Sequence, residues 1–322
     1  MKYVLGIDGG GTKTAYLLCN ENGDIAAACA GPGCSYKQHG TETALETLTT
    51  HVARCVQEAG IHPSDIAGAC AGLPCYGEAP VQDAAFAKLL CEKLSAFPLY
   101  LVNDAEVGWA GSLAGQPGIN IVAGTGSIAF GVDGAGRSAR CGGWSWVFGD
   151  EGSCHWAGMK TMELFSKEAD GRIPRGALYT LLREKLALSD DMDFVEIMEN
   201  EYCPHRDKTA SLQRWLCDAA EVGDEAARTV YREAAAELAM AVTGVAGQLS
   251  FEGPVRVSYS GGIFRAGALM LEPFSALLPQ PAYILCTPVL SPVAGAALLA
   301  FREFLPGQQT AAAEALARVE KA

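Results

Sequence analysis

The chain has 322 residues, of which 49% are hydrophobic and 19% charged, and its formal net charge is −13. This length is long for one hydrophobic core and suits two domains, and the composition is typical of a globular protein. The negative charge argues against nucleic acid or an anionic membrane as a partner, because both would repel the chain. No stretch approaches the length of a membrane span, and the first residues do not resemble a signal peptide, so we expect a cytoplasmic protein.

Twelve cysteines are scattered along the chain, and no two of them have C-x-x-C spacing. Most lie in apolar runs, so we expect reduced, mostly buried thiols. Zinc could bind at Cys154-His155 or at Cys203 and His205, but neither pair has a matching second half, and zinc is therefore not favoured.

In chain order, the first predicted strand, 3–5, leads into the glycine-rich segment 6–14, which reads GIDGGGTKT. Glycines allow a sharp turn whose N–H groups can approach an anion, and the next two residues add a hydroxyl and a cation. Asp8 lies at the strand end, where a carboxylate can hold a hydrated Mg²⁺. The segment therefore predicts a nucleotide-phosphate site with Mg²⁺, although a plain glycine-rich hairpin remains an alternative. The candidate phosphate-binding residues are Gly9, Gly10, Gly11, Thr12 and Lys13.

Two commoner phosphate-binding motifs do not fit this segment. Thr12 stands where a P-loop requires lysine, and Thr14 stands where a dinucleotide-binding fingerprint requires glycine. Asn22-Gly23 between two apolar runs predicts a hairpin of strands 15–19 and 25–30. A phosphate turn within a hairpin fits the actin-like ATPase domain shared by sugar kinases, actin and Hsp70 chaperones.

The rest of the first half predicts helix 41–59, strand 66–71, helix 80–95, strand 99–102 and a helix to about 114. The order β-β-β-α-β-α-β-α then recurs with extra helices. Its predicted elements are strands 119–123, 128–132, 137–141, 255–259 and 282–286 and helices 154–165, 224–249 and 293–304.

This repeat predicts an α/β protein with the two-domain fold of the actin-like ATPases, in which a ribonuclease H-like domain is duplicated. We expect the glycine turns 9–12 and 124–127 to face each other across a cleft. We expect an N-terminal domain over 1–115 and a C-terminal domain with a helical insertion over 116–307. The Ala-rich helix at about 308–322 is expected to pack back on the first domain. The second turn adds Gly124, Thr125 and Gly126 as candidate phosphate-binding residues.

Asp104 follows the strand 99–102, at the end of a strand where open α/β sheets bind ligands. A carboxylate there can accept the proton of a hydroxyl that attacks the γ-phosphate of ATP. The alternative is that Asp104 simply caps the following helix, since aspartate is a preferred N-cap residue.

The segment 142–153, GGWSWVFGDEGS, combines glycines, two tryptophans and adjacent acids. Aromatic faces cover the apolar side of a sugar and carboxylates accept its hydroxyls, so a sugar site is favoured over a bare helix start. Gly261 and Gly262 end the strand 255–259 and could let adenine or ribose approach the backbone, although a tight strand–helix turn explains them equally well.

Together these segments resemble the N-acetylglucosamine kinase and BadF-type ATPase group of actin-like proteins, over most of the chain. The segment 136–144 is similar to bacterial kinases of N-acetylglucosamine and N-acetylmuramic acid. The resemblance implies an ATP- and Mg²⁺-dependent amino-sugar kinase that is a homodimer, with Asp104 as the catalytic base and Thr12 and Thr125 at the ATP phosphates. The implied sugar-binding residues are Ser35, Ser127, Gly143, Trp144, Ser145 and Asp150.

The sequence departs from the family pattern around the sugar. Ser35 stands where the family often has asparagine, Ile128 where it often has a polar residue, and Gly-Gly-Trp-Ser-Trp replaces Gly-Gly-Trp-Gly-His. These changes predict a less polar pocket or a different hexosamine, with the phosphate machinery intact.

The leading hypothesis is in-line transfer of a phosphoryl group to an N-acetylglucosamine-like hexosamine, at O6. The first alternative is an ATP-hydrolysing activator of a radical dehydratase, which carries an iron–sulfur cluster. In the family of such activators, a cysteine stands beside the second glycine turn. This chain has Ile121-Val122-Ala123 before Gly124 and therefore no cysteine there. A sugar-binding regulator without turnover is less favoured, because the chain begins directly at the phosphate strand.

Overall fold

The computed structural model describes residues 1–320, and the end of the predicted tail helix, 321–322, lies outside the described residues. The strands are β1 Tyr3–Gly9, β2 Lys13–Asn20, β3 Ile25–Pro32, β4 Ile66–Leu73, β5 Leu99–Asn103, β6 Gly118–Ala123, β7 Ser127–Val132, β8 Ser138–Gly142, β9 Val255–Ser260 and β10 Tyr283–Cys286. The helices are α1 Tyr36–His39, α2 Thr41–Ala59, α3 Pro80–Lys93, α4 Asp104–Ser112, α5 Cys154–Ala169, α6 Ala177–Lys185, α7 Asp193–Ile197, α8 Arg206–Ser211, α9 Gln213–Glu221, α10 Glu225–Ala246, α11 Ala268–Leu277, α12 Pro292–Phe304 and α13 Gln309–Glu320. Short 3₁₀ helices occur at Pro63–Asp65, Gly262–Ala266 and Pro306–Gln308, and a π-helical turn occurs at Met198–Tyr202.

The chain divides into two compact units. The first unit contains Met1–Pro117 and the described residues from Thr287 onward. Its five-stranded sheet has the order β3-β2-β1-β4-β5, with β1, β2 and β3 antiparallel and β1, β4 and β5 parallel. Helix α2 covers this sheet through a buried face at helical spacing, including Leu45, Leu48 and Val52.

The second unit is Gly118–Cys286, and its sheet has the order β10-β9-β6-β7-β8. Strands β6, β7 and β8 are antiparallel, whereas β6, β9 and β10 are parallel. The core of this unit includes the sheet and the long helix α10, whose buried face includes Tyr231, Leu238 and Val242. The inserted helices α5 to α9 extend the same core.

The two sheets have the same strand order and the same pattern of parallel and antiparallel pairs, which confirms the predicted duplication and the α/β actin-like fold class. The predicted helix 41–59 coincides with the observed α2. Its apolar residues recur at helical spacing, and Gly60 ends it in the left-handed conformation, at φ 64°.

Helix α12 differs from expectation in its position. The sequence placed it in a domain over 116–307, but it belongs to the first unit and packs on β1 and α4. Small residues permit this close approach: a Cβ at Gly6 would lie 2.4 Å from the Ala297 nitrogen, and one at Gly295 would lie 2.2 Å from the Val107 carbonyl oxygen. Periodicity predicts that a helix forms but does not identify the sheet that it covers.

The described tail helix α13 belongs to the first unit, where Ala312 and Leu316 are buried. A Cβ at Gly23, in the β2–β3 turn, would lie 2.7 Å from the Ala312 Cα. The tail therefore packs on the turn of the β2–β3 hairpin. Within residues 1–320, we find no helix that combines the length and the apolar character needed to cross a bilayer.

Candidate active site

The first glycine turn joins β1 to β2 and is supported by the segment after β3. The Gly10 N–H donates to the Lys13 carbonyl at 2.9 Å, and the Cys34 N–H donates to the Gly10 carbonyl at 3.1 Å. A Cβ at Gly33 would lie 2.1 Å from the Gly11 carbonyl oxygen, so only glycine allows the two segments to meet this closely. The side chains of Thr12 and Lys13 are exposed and available to an anion.

The same segment positions Ser35 near this turn. Ser35 is 1% exposed, and its hydroxyl has no hydrogen-bond partner among the described residues. The neighbouring helix α1 is tied to the turn by His39, whose Nε2 lies 2.7 Å from the Gly11 carbonyl oxygen. A buried hydroxyl without a partner is costly, which is a reason to expect a ligand there.

Asp8 and Asp104 lie at the same edge of the first sheet. In the parallel register Asp8 is opposite Gly72 of β4, and Leu73 of β4 is opposite Asn103 of β5, so both carboxylates occur at the carboxyl ends of the two strands that flank β4. Ligands of open α/β sheets bind at this edge.

Both carboxyl groups have raised pKa values. Burial raises the pKa of Asp8 to about 6, opposed by the nearby Lys13 cation. Burial and then repulsion from Asp8 raise the pKa of Asp104 to about 7. A carboxylate with a pKa near neutrality is well matched to proton transfer at physiological pH.

Asp104 is not the cap of α4. The N-cap is Asn103, which has an extended backbone and whose Oδ1 accepts from the Ala105 N–H at 3.0 Å. Asn103 also donates from Nδ2 to the Tyr76 carbonyl at 2.9 Å, so its side chain is fixed on both sides. The capping alternative for Asp104 was therefore wrong, and the Asp104 carboxylate is the first side chain of the helix.

The donor set at this edge fits a divalent cation. The Asp8 and Asp104 carboxylates repel each other, and the Lys13 cation acts on Asp8, so Mg²⁺, which prefers oxygen ligands, would stabilise the pair. Asp8 is the residue that would hold it, directly or through water.

The second glycine turn, between β6 and β7, is held by the start of α5. The Gly124 N–H donates to the Gly126 carbonyl at 2.9 Å, and the Cys154 N–H donates to the Gly124 carbonyl at 2.8 Å. The Ser127 hydroxyl donates to the Glu151 carbonyl at 2.7 Å. Thr125 is exposed at the tip of the turn.

Asp150 is oriented by an arginine that the sequence did not single out. Its side chain is 8% exposed, its backbone has φ 57°, and its carboxylate accepts from the Ser127 N–H at 3.4 Å and from the guanidinium of Arg206. Burial raises the pKa of Asp150, and Arg206 opposes that rise. Arg206 lies in the inserted helices, where no motif marks it.

The loop between β8 and α5 places the aromatic candidates at the surface. Gly142 and Gly143 both have positive φ, and the Gly143 N–H donates to the Ser127 carbonyl at 3.0 Å. Trp144 is 75% exposed, while Trp146 lies edge-on to His155 with centroids 5.4 Å apart. Ser145 supports the loop, because its carbonyl accepts from the Gly149 N–H at 2.7 Å.

Two cavities lie in the second unit. A cavity of about 250 Å³ is bordered by Ser127, Ile128 and Trp144, together with acidic Glu151 and Glu237. The cavity combines apolar and acidic side chains, and the less polar sugar pocket stays a prediction from the sequence.

The larger cavity, of about 740 Å³, begins at Gly124 and Thr125 and extends along the inserted helices. Gly262 also lines it, and Gly261 has φ 107°, so that a Cβ there would lie 2.4 Å from the Ala123 carbonyl oxygen. The size falls in the range of small-molecule sites. Its other lining residues are Cys154, Asp207, Lys208, Ala210, Ser211, Gln213, Arg214, Cys217, Asp218, Arg265 and Ala266.

The candidate residues fall into two groups. The first unit brings together the first turn, Ser35, Asp8 and Asp104; the second brings together the second turn, the 142–153 loop, Asp150 and the Gly261-Gly262 pair. The residues that the sequence did not identify are Asn103, Arg206 and the helix residues around the large cavity. Of these residues, only Asn103 could have been recognised from the sequence, because asparagine is a preferred N-cap residue and it directly precedes a predicted helix.

Comparison with known proteins places these features in a family. The family model described as the BadF/BadG/BcrA/BcrD ATPase family matches residues 5–300. The chain is 28% identical over 280 residues to an N-acetylmuramic acid/N-acetylglucosamine kinase of Clostridium acetobutylicum, covering 86% of this chain and 90% of the relative. It is 29% identical over 310 residues to an N-acetyl-D-glucosamine kinase of Dictyostelium discoideum, covering 92% and 97%.

A solved structure has a similar fold. It is that of a candidate N-acetylglucosamine kinase from Chromobacterium violaceum, with a TM-score of 0.76 and 24% identity, covering 93% of this chain and 99% of the other. At this identity the likeness supports the fold alone.

Proposed function

The chain belongs to the BadF/BadG/BcrA/BcrD ATPase family, and from this premise we propose that it transfers the γ-phosphoryl group of ATP to a hydroxyl of an N-acetylhexosamine. The observation that carries the proposal is the position of Asp104 beside the first glycine turn, at the carboxyl end of β5, with a pKa of about 7. Two relatives named as amino-sugar kinases cover most of the chain, which supports the same class of reaction.

Asp104 acts as the general base in this proposal. Its carboxylate accepts the proton of the sugar hydroxyl, at O6, as that oxygen forms a bond to the γ-phosphorus. The bond between the γ-phosphorus and the bridging oxygen breaks in line, and ADP leaves with the electron pair. Near pH 7 about half of a group with this pKa is ionised, so the base form is well populated.

The glycine turns supply hydrogen-bond donors to phosphate. The Gly10 and Gly124 N–H groups bond within their own turns, so in the first turn Gly9 and Gly10 would shape the backbone while the Gly11 N–H donates to phosphate, and in the second turn Gly124 would shape the backbone while the Gly126 N–H donates. The exposed Thr12, Lys13 and Thr125 would add side-chain donors. Mg²⁺ held by Asp8 would offset the negative charge that develops on the transferring group.

Each unit offers its own candidate sugar-binding residues. Ser35 offers a buried hydroxyl without a described partner, and Ser127 and Trp144 border the smaller cavity. Asp150, fixed by Arg206, could accept a pair of sugar hydroxyls, while Gly143 and Ser145 shape the loop around it.

The decisive experiment measures ADP release from Mg-ATP with N-acetylglucosamine, N-acetylmuramic acid, glucosamine, N-acetylmannosamine, glucose and no sugar. We expect sugar-dependent release and a phosphosugar with its phosphate on O6, identified by mass spectrometry and phosphorus NMR. Equal release with and without every sugar would overturn the kinase proposal. Iron bound to the purified protein would then favour the dehydratase activator.

A cytoplasmic location remains a proposal from the sequence, and a homodimer remains a proposal from the resemblance. Light scattering of the purified protein tests the second, with twice the chain mass of 33.7 kDa expected.

A further inference from the structure

We infer that Gln213 reads the base of the nucleotide and selects adenine, an inference that rests on the proposed use of ATP as phosphoryl donor. Gln213 is the first residue of α9, is 6% exposed and lines the cavity of about 740 Å³. The same cavity is lined by Gly124, Thr125 and Gly262. If the phosphates lie at that glycine turn, the base must lie further along the cavity, toward the inserted helices.

The orientation of the Gln213 amide is fixed by Tyr231, on the neighbouring helix α10. The Tyr231 hydroxyl has a single proton, which it donates to the Gln213 backbone carbonyl at 3.3 Å. The same hydroxyl therefore acts as acceptor toward the Gln213 side chain, whose Nε2 donates to it at 2.5 Å. Because Tyr231 is only 1% exposed, this pair is held within the core.

Fixing Nε2 on Tyr231 leaves Oε1 as the group that can meet a ligand. The described partner of Oε1 is the Cys154 thiol, at 4.0 Å, and a thiol is a weak donor. A buried amide oxygen with so weak a partner gains from a stronger N–H donor. Because Gln213 lines the cavity, Oε1 is the polar side-chain atom that we expect a ligand there to meet, as an acceptor.

An acceptor distinguishes adenine from hypoxanthine. The exocyclic amine of adenine can donate to Oε1, whereas hypoxanthine has a carbonyl oxygen at the same ring position, which would face Oε1 as a second acceptor. Sites built around one polar contact reject a ligand that leaves that contact unpaired.

The remaining cavity residues suit a flat base. Arg214 and Arg265 line it, are exposed, and form no ion pair with another residue in the range 1–320. Both lie near enough to act electrostatically on the Cys154 thiol. A planar guanidinium stacks well on an aromatic face, so these two arginines could hold the base while Gln213 selects it.

The test compares binding of ADP and of IDP, the nucleotide with hypoxanthine, by calorimetry without sugar. We expect the wild-type protein to bind ADP about tenfold or more tightly than IDP, the loss expected for one buried hydrogen bond. In the Gln213→Met variant, which keeps the side-chain size but has no amide, the ratio should fall to within about threefold.

Two further variants separate base reading from a general effect on folding. Tyr231→Phe removes the hydroxyl that fixes the amide, so the amide can rotate and the ADP/IDP ratio should also fall. Gln248→Met makes the same change at an amide of the second unit that bonds to Gly244 and does not line the cavity, and it should keep the wild-type ratio.

Equal binding of ADP and IDP to the wild-type protein would overturn this inference and leave the kinase proposal intact. An unchanged ratio in a folded Gln213→Met variant would overturn it too. Conversely, selection of ADP in a protein that phosphorylates no sugar would sustain the role of Gln213 and remove the kinase proposal.

Discussion

Arg206, on the inserted helix α8, bonds through its guanidinium to the carboxylate of Asp150, 56 residues earlier in the chain. Asp150 also accepts from the Ser127 N–H, so one buried carboxylate ties the second glycine turn to the inserted helices. A Cβ at Gly126 would lie 2.4 Å from the Arg206 Nη2, which shows how closely the ion pair covers the turn. The inserted helices therefore help to shape the site.

Removing the Arg206 side chain should destabilise the protein in a pH-dependent way. Arg206→Ala leaves a buried carboxylate without its cation, at a cost on the order of 1–3 kcal/mol in the free energy of unfolding. Because the Asp150 pKa is already raised by burial, the loss should be larger at pH 8, where Asp150 must ionise, than at pH 5. Urea unfolding at the two pH values measures this difference.

A control for this variant is Arg232→Ala, which breaks an exposed contact with Glu225 at 3.5 Å and should cost below about 0.5 kcal/mol. An equal loss for Arg206→Ala at both pH values would mean that Arg206 stabilises by packing rather than by charge.

Replacing Asp104 by asparagine should abolish proton acceptance without removing the nucleotide site. We expect turnover to fall by roughly 10²–10⁴ while ADP still binds, the usual range for loss of a general base. The matched control is Glu106→Gln, two residues along the same helix, where the acid faces Arg302 at 3.8 Å and should be dispensable for turnover. A loss of less than about tenfold would rule out Asp104 as the base.

The same Asp104→Asn change should stabilise the nucleotide-free protein at high pH. The Asp104 pKa is about 7 in the folded protein and about 4 in an unfolded chain, so the folded state binds the proton more tightly. Ionisation therefore opposes folding increasingly from about pH 4 to pH 7, and fully above pH 7.

We expect the variant to gain on the order of 2–4 kcal/mol at pH 8 and close to nothing at pH 4. Thermal unfolding without Mg²⁺ measures the gain, and the exposed Glu46→Gln provides the comparison. A pH-independent difference would contradict a shifted Asp104 carboxyl group.

Gly261→Ala should damage the second glycine turn. Its backbone has φ 107°, and the added Cβ would lie 2.6 Å from the Gly124 nitrogen. We expect a cost of more than about 2 kcal/mol in stability and weaker ADP binding, because both the strain and the clash fall on the turn. Gly134→Ala, at a turn with open space and ordinary φ, should change neither quantity.

Trp144→Ala should separate binding from stability. Trp144 is 75% exposed, so its removal should leave the unfolding midpoint almost unchanged. If its face covers the sugar, KM for the sugar should rise about tenfold, the effect of losing one aromatic contact. Val147→Ala, also on the exposed part of the loop, is the control. An unchanged KM would remove Trp144 from the sugar site.

Much of the fold could be predicted because its signals are local. Helix α2 and the two strand–glycine turn–strand hairpins follow from apolar spacing and from glycine and asparagine chemistry within a few residues. The position of α12 could not be predicted in this way. Its contacts with β1 and α4 join residues that are far apart in the chain, such as Gly6 with Ala297 and Gly295 with Val107.

The sequence by itself determined the duplicated order of elements, the two glycine turns and the placement of Asp8 and Asp104 at strand ends, because strand direction and turn chemistry are encoded locally. Only the tertiary structure decided that Asn103 rather than Asp104 caps α4, that Arg206 meets Asp150, and that Tyr231 bonds to the Gln213 amide beside a cavity. Each of these contacts is a hydrogen bond between side chains or backbone groups that are brought together when the chain packs. The sequence does not show which distant segments will pack side by side, so it cannot predict these bonds.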